Sequence, residues 1–248
     1  MSESSNPSTE ERREQLAANL VAVRTRIAAA CAAAGRGPDE VTMIAVTKTY
    51  PADDVLLLGG LGVTDVGENR DQEAAPKAVA ARASGVDLRW HFIGQLQRNK
   101  CRSVVTYADM VHSVDSVRLA DALGVAAQRL RNRPLDVLLQ VSLDEDPVRG
   151  GAVPDGADPD RNVSRVAEAI AGQPSLRLAG VMAVAPLHGD PAAAFARLAG
   201  IAAALRADYP DARVVSAGMS GDLETAIAWG ATHVRIGSAL LGKRRTLG

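Results

Sequence analysis

Eight short apolar runs, at residues 41–47, 63–67, 88–93, 109–114, 135–142, 177–184, 213–217 and 233–237, recur along the chain with longer helical stretches between them. Runs of this length read as strands. The stretches at 117–131 and 191–207 are rich in alanine and leucine, which are strong helix formers. Strands alternating with helices predict a parallel sheet, and right-handed crossovers of eight such units close a barrel. The predicted fold is therefore an α/β structure, a parallel (β/α)8 TIM barrel. At 248 residues the chain has the length such barrels take as one domain, about 250 residues. The rival, an open doubly wound sheet, announces itself by a glycine-rich turn after its first strand. Here that turn reads Lys48-Thr49-Tyr50-Pro51.

An extra helix is expected ahead of the barrel, at 9–34. Leu16, Leu20, Val23 and Ile27 fall at spacings of three and four along it, and Gly35 and Gly37-Pro38 stop it. One domain over residues 9–248 follows, with a disordered N-terminus at 1–8. The one long irregular segment, 144–160, is loaded with Gly, Pro and Asp. Loops of that length are often lids, and this one is placed to cover the barrel mouth.

Composition removes several classes of function. Twenty-eight basic and 29 acidic residues nearly cancel and aromatics make up only 3%, so neither a basic field nor stacking platforms point to nucleic acid. No stretch approaches the roughly 20 uncharged apolar residues of a membrane span. The first 14 residues are polar and lack the apolar core of a secretory signal, which predicts a cytoplasmic protein. Cys31 and Cys101 show neither CxxC nor His-ligand spacing, so they are expected as small buried hydrophobes rather than as a zinc site or a disulfide. His91, His112, His188 and His233 are likewise dispersed, without metal-ligand spacing.

The strand ends carry the chemistry. Lys48 closes the first run, where barrel enzymes assemble their sites; partial desolvation and a neighbouring cation there would favour the neutral, nucleophilic amine. A lysine simply reaching solvent is the plain alternative. Arg235 lies inside the eighth run, where an apolar residue is expected, so its guanidinium needs acceptors: a pyridine nitrogen or a carboxylate between strands. First and last strands of a closed barrel are neighbours, so amine and guanidinium share one mouth. After strand seven, Ser216-Ala217-Gly218-Met219-Ser220-Gly221-Asp222 offers glycine backbone and hydroxyls, and Gly237-Ser238 after strand eight adds donors. Barrels frequently seat phosphate there, although Ser220 alone could equally cap a helix. Asn69 is placed to touch a cofactor hydroxyl or to cap the helix that follows it. His91 alternates with Trp90 and Phe92 and so points away from them, as a hydrogen-bonded core residue commonly does.

Together Ala45-Val46-Thr47-Lys48-Thr49, Gly67-Glu68-Asn69, Trp90-His91-Phe92-Ile93-Gly94 with Gln97 and Asn99-Lys100, His112-Ser113-Val114-Asp115, Gly180-Val181-Met182-Ala183, and Gly218-Met219-Ser220 through Val234-Arg235-Ile236-Gly237-Ser238 resemble the pyridoxal phosphate homeostasis proteins. These are single-domain relatives of the alanine racemase N-terminal barrel, and the resemblance covers about residues 10–242. It implies pyridoxal 5′-phosphate held as a Schiff base on Lys48, Arg235 beside the ring nitrogen, Asn69 close to the cofactor, and phosphate near Ser216, Ser220, Gly221, Gly237 and Ser238. It further implies a protein that binds, stores or hands over the cofactor to apoenzymes, with no secure catalytic residue and no metal. Thr47 stands where serine is usual, Ala217 where methionine is, Ser142 where asparagine is, and Arg149 where lysine is common. An arginine forms no Schiff base, so the resemblance carries no second carrier lysine at that position.

The rival function is an amino-acid racemase of the alanine racemase type. It needs a second base on the opposite face of the cofactor, which true racemases take from an additional β domain, commonly through a tyrosine. The chain ends soon after its eighth strand, and of Tyr50, Tyr107 and Tyr209 just Tyr50 lies near a strand end.

Overall fold

The computed structural model describes residues 8–143 and 150–242, so most of the expected disordered N-terminus, the first part of the 144–160 loop and Arg149 lie outside the described residues. The elements are α1 (Thr9–Ala33), β1 (Thr42–Val46), α2 (Ala52–Gly60), β2 (Asp65–Glu68), α3 (Asp71–Ala83), β3 (Arg89–Phe92), α4 (Cys101–Tyr107), β4 (Met110–Val114), α5 (Val117–Leu130), β5 (Leu135–Gln140), α6 (Val163–Ala171), β6 (Leu176–Met182), α7 (Pro191–Asp208), β7 (Val214–Ser216), α8 (Leu223–Ala228), β8 (His233–Ile236) and α9 (Ser238–Leu241). All eight expected strands are present within two residues at either end. They pair in sequence order, and β8 returns to pair in parallel with β1. The ring is closed.

Alternation along the strands divides two cores. Ala45, Val66, Trp90, Phe92, Val111, Val234 and Ile236 join the large cluster that packs the sheet against its helices. The residues between them, Ile44, His91, His112 and Arg235, therefore turn into the ring. On the far side the interior is filled by Met110, Leu138, Ala179 and Met182. The ring is thus a packed plug with a polar half, and only its rim is open for chemistry.

Helix α1 begins on a capping box, in which Ser8 and Glu11 each satisfy the other's backbone amide. Leu16, Leu20, Val23 and Ile27 are all buried as the spacing predicts, and Gly35 takes the left-handed φ of 66° that ends the helix. By length and composition alone this helix is long and apolar enough to cross a membrane. In the fold its apolar stripe lies on the barrel, and Arg12 and Arg26 pair with Asp54 and Glu224 on other elements. Both cysteines are buried, and burial pushes the Cys101 thiol up to about 11, which leaves little nucleophilic thiolate. The described end of the long loop runs beside the end of β5. Ala152 donates to Gln140 O, and Asp115 pins the segment through the Gly151 amide and the Arg161 side chain.

Candidate functional site

Strand register brings the two leading candidates together. Ile44 of β1 stands opposite Arg235 of β8, and Lys48 lies in the turn that follows the end of β1 at Val46.

Lys48 is exposed, not partly desolvated as its sequence position suggested. Strand β1 stops at Val46 and a tight turn carries the amine out over the rim. Thr49 adopts the left-handed φ of 71°, uncommon for a β-branched residue, and its amide donates to Glu73 Oε2 at 2.7 Å. Tyr50 N closes the turn on Thr47 O at 3.1 Å.

The buried lysine of this region is Lys77 on α3, which the sequence reading missed. Its Nζ donates to Thr47 O at 2.9 Å and to Glu68 Oε1 at 2.6 Å, and Thr47 Oγ1 donates to the same oxygen at 2.7 Å. Burial pushes the Glu68 carboxyl above the usual range against the pull of Lys77 and Thr47. A signal was present, because a carboxylate on the helix-facing side of a fully buried strand needs a cation. The distance along the chain hid which cation.

Arg235 is 4% exposed and carries no carboxylate partner among the described residues. Nη1 donates to Ser216 O and Oγ, both at 2.8 Å, and Nη2 donates to Ala183 O at 2.8 Å. All three acceptors are uncharged, which sets aside the ion-pair alternative. Burial lowers its pKa to about 10, with Asp222 opposing. Even so it stays a cation at neutral pH. Ser216 is fully buried, and its hydroxyl also meets His112 Nδ1 at 3.0 Å. Its hydroxyl therefore holds Arg235 beneath the rim, whereas the resemblance had grouped it with the phosphate loops.

Those loops do meet. Ser220 Oγ accepts from the Ala239 amide at 3.2 Å, tying the segment after β7 to the first turn of α9. Asp222, not Ser220, occupies the N-cap position of α8. The amides of Ser220, Gly221 and Ser238 donate to no backbone carbonyl among the interactions between described residues, and Gly221 faces open space. Gly237 packs its Cα side against Val46 of β1. Backbone donors from two loops thus converge beside the Lys48 strand.

Asn69 does not cap α3; Arg70 holds that position, and no side chain bonds the cap. Its Oδ1 is buried without any hydrogen-bond partner, an uncommon and costly state for a polar atom. Gly94 presses on its backbone so closely that an added Cβ would strike Asn69 O and Cα. Tyr50, the tyrosine nearest the rim, donates its hydroxyl to Gly242 O at 2.8 Å. A racemase's second base would have to be freed from that bond.

Beneath Arg235 the ring holds His91 and His112, nitrogen to nitrogen at 2.9 Å, with His91 also 2.8 Å from Asp65 Oδ1. The expected inward turn of His91 is what brings them together. Burial drives the His112 pKa well below 6.5, and burial with the nearby His91 lowers His233 to about 4. For a depressed histidine the unfolded chain binds more protons, so stability is intact above about pH 6.5 and is lost as pH falls toward the folded value. Urea unfolding is expected to require progressively less denaturant between pH 6.5 and pH 4, each such histidine withdrawing up to about 1.4 kcal/mol per pH unit. A His233→Gln variant should flatten the profile in that window; an unchanged slope would remove His233 from the account.

The exposed amine, the uncompensated guanidinium, the orphaned Asn69 oxygen and the two amide-lined loops fit an anionic aromatic aldehyde whose ring bears a nitrogen and a hydroxyl. The sequence model of the family "Alanine racemase, N-terminal domain" matches residues 16–245. A pyridoxal phosphate homeostasis protein of Mycobacterium tuberculosis is 42% identical over 248 residues, 95% of each chain. Its counterpart in Escherichia coli K12 is 38% identical over 233 residues, 92% of this chain and 97% of that one. The structure of PipY from Synechococcus elongatus with pyridoxal phosphate bound superposes with a TM-score of 0.75 at 33% identity, covering 92% of this chain and all of that one. The chain belongs to the pyridoxal phosphate homeostasis protein family, within the wider family of the alanine racemase N-terminal domain.

Proposed function

We propose that the chain binds pyridoxal 5′-phosphate on Lys48 and serves in the homeostasis of that cofactor, holding it and passing it to apoenzymes in the cytoplasm. When bound, the cofactor supplies an aldehyde to the lysine and an electron-withdrawing ring. One observation carries the reading: Arg235, a buried cation bonded only to uncharged groups, sits on the strand beside β1, whose end leads into the turn that bears Lys48. Arg235 would face the ring nitrogen and, being a cation at neutral pH, would keep a proton off it; that would weaken the ring as an electron sink and favour holding over turnover. The Asn69 oxygen would accept from the ring hydroxyl, and the amides of Ser220, Gly221, Gly237 and Ser238 would take the phosphate. Ser216 contributes through Arg235.

The relatives' shared name and the cofactor in PipY support this reading. Protein mixed with pyridoxal phosphate should gain an absorbance band that borohydride converts to a stable adduct, and peptide mass analysis should find the adduct on Lys48. A Lys48→Ala variant should give none. Adduct on another lysine with Lys48 unmodified would defeat the proposal, and α-proton exchange of alanine well above that of free cofactor would defeat the non-catalytic part.

A further inference from the structure

Hydrogen bonds run end to end from Arg235 across the barrel interior to Asp65, the first residue of β2. Arg235 Nη1 donates to Ser216 Oγ at 2.8 Å. Ser216 Oγ lies 3.0 Å from His112 Nδ1, His112 Nε2 lies 2.9 Å from His91 Nδ1, and His91 Nε2 lies 2.8 Å from Asp65 Oδ1. Ser216, His112 and His91 are each no more than 1% exposed.

The carboxylate end sets the direction of the whole series. Burial raises the Asp65 pKa, but the bonds from His91 and Thr64 outweigh it and hold the group below the usual carboxylate range. An ionised Asp65 accepts only, so His91 presents Nε2–H to it. In the tautomer series in which His91 carries a single proton, on Nε2, His91 Nδ1 accepts from His112 Nε2–H, and His112 Nδ1 accepts from the Ser216 hydroxyl. The hydroxyl proton points away from Arg235 and a lone pair points toward it. Every hydrogen is used once and every donor points toward Asp65. Hydrogen bonds aligned in this way polarise one another.

Resting on the reading of the site given above, we propose that Asp65, His91, His112 and Ser216 form a positioning chain for Arg235, which fixes the guanidinium against the ring nitrogen of bound pyridoxal phosphate. A carboxylate placed directly on Arg235 would compensate the buried charge but would occupy the donors that a ligand needs. Delivered through two imidazoles and a hydroxyl, the negative pole lies far from the seat. A guanidinium has five N–H groups. Three bonds go to Ser216 and Ala183, which leaves Nε and one hydrogen of Nη2 for the ligand. Arg89, His233 and Asp222 are the other charged or titratable groups acting on this interior and on Arg235, and none of them bonds to the chain among the described residues.

The chain is tested through ligand affinity, using full-length protein, pyridoxal phosphate, and a carbocyclic analogue in which CH replaces the ring nitrogen. Asp65→Asn keeps the shape of the remote end and touches neither Arg235 nor the ligand. It should bind pyridoxal phosphate about fivefold more weakly than wild type, with a shifted absorbance maximum, while affinity for the analogue changes less than twofold. Ser216→Ala should show the same contrast and carries the test if Asp65→Asn does not fold. Equal losses for both ligands, or no loss for pyridoxal phosphate, would overturn the chain. Failure of wild type to take either aldehyde onto Lys48 would overturn the underlying reading of the site instead.

Discussion

Replacing Lys77 with methionine is expected to lower the unfolding free energy by about 3–5 kcal/mol, because it strands a carboxylate in the sheet–helix core. Glu68 is 1% exposed, its Oε1 is shared by Lys77 and Thr47, and its Oε2 has no partner. Without Lys77, only the Thr47 hydroxyl would face the charge. Glu68 would then take a proton, and the Thr47 carbonyl that Lys77 now holds would lose its donor. Glu68→Gln placed on top of Lys77→Met removes the charge and should recover more than half of the loss. Urea unfolding of the single and double variants checks this, and a loss below about 1 kcal/mol in Lys77→Met would mean that Glu68 is already neutral or hydrated. Because Thr47 precedes Lys48, the single variant should also bind pyridoxal phosphate more weakly even where it remains folded.

Gly180→Ala should cost at least about 3 kcal/mol and lower Tm by roughly 10 °C. Gly180 lies in β6 at a φ of 154°, and a Cβ there would run into the backbone carbonyl of Val214 on β7. A side chain can turn aside, but a carbonyl within a ladder cannot. The strain would part β6 from β7, where Val181 pairs with Val215 and Met182 with Ser216. Since the Ser216 carbonyl and hydroxyl hold Arg235, cofactor affinity should fall together with stability. A thermal scan matching wild type would show that the two strands have slack at this point.

The architecture was legible because a strand buried on both faces reads as a short apolar run whatever its neighbours, and eight such runs are hard to arrange otherwise. Lys48, Asn69 and Arg235, the residues proposed to meet the cofactor, stood out for a related reason: each is a polar residue within or just beyond such a run. The supporting residues were not. Lys77 sits in a helix of mixed composition, and only the packing of α3 on β2 reveals that its amine is enclosed. His91 and His112 read as dispersed because the pairing that joins them depends on register; β3 sets His91 beside Met110, with His112 two residues further on the same face. Lys48 was placed correctly in the chain but wrongly in its surroundings. Strand periodicity cannot say that β1 stops at Val46 and that the turn lifts the amine into solvent.

The closure of β8 onto β1 also bears on how the protein is made. The Lys48 amine emerges from the ribosome well before the Arg235 guanidinium, so a nascent chain cannot hold both cations of the proposed seat until β8 has been made. Docking β8 against β1 bears the loop-closure entropy of all the chain between them. On the proposed reading, small aldehydes met before β8 docks find a lone lysine, and retention begins with that seam.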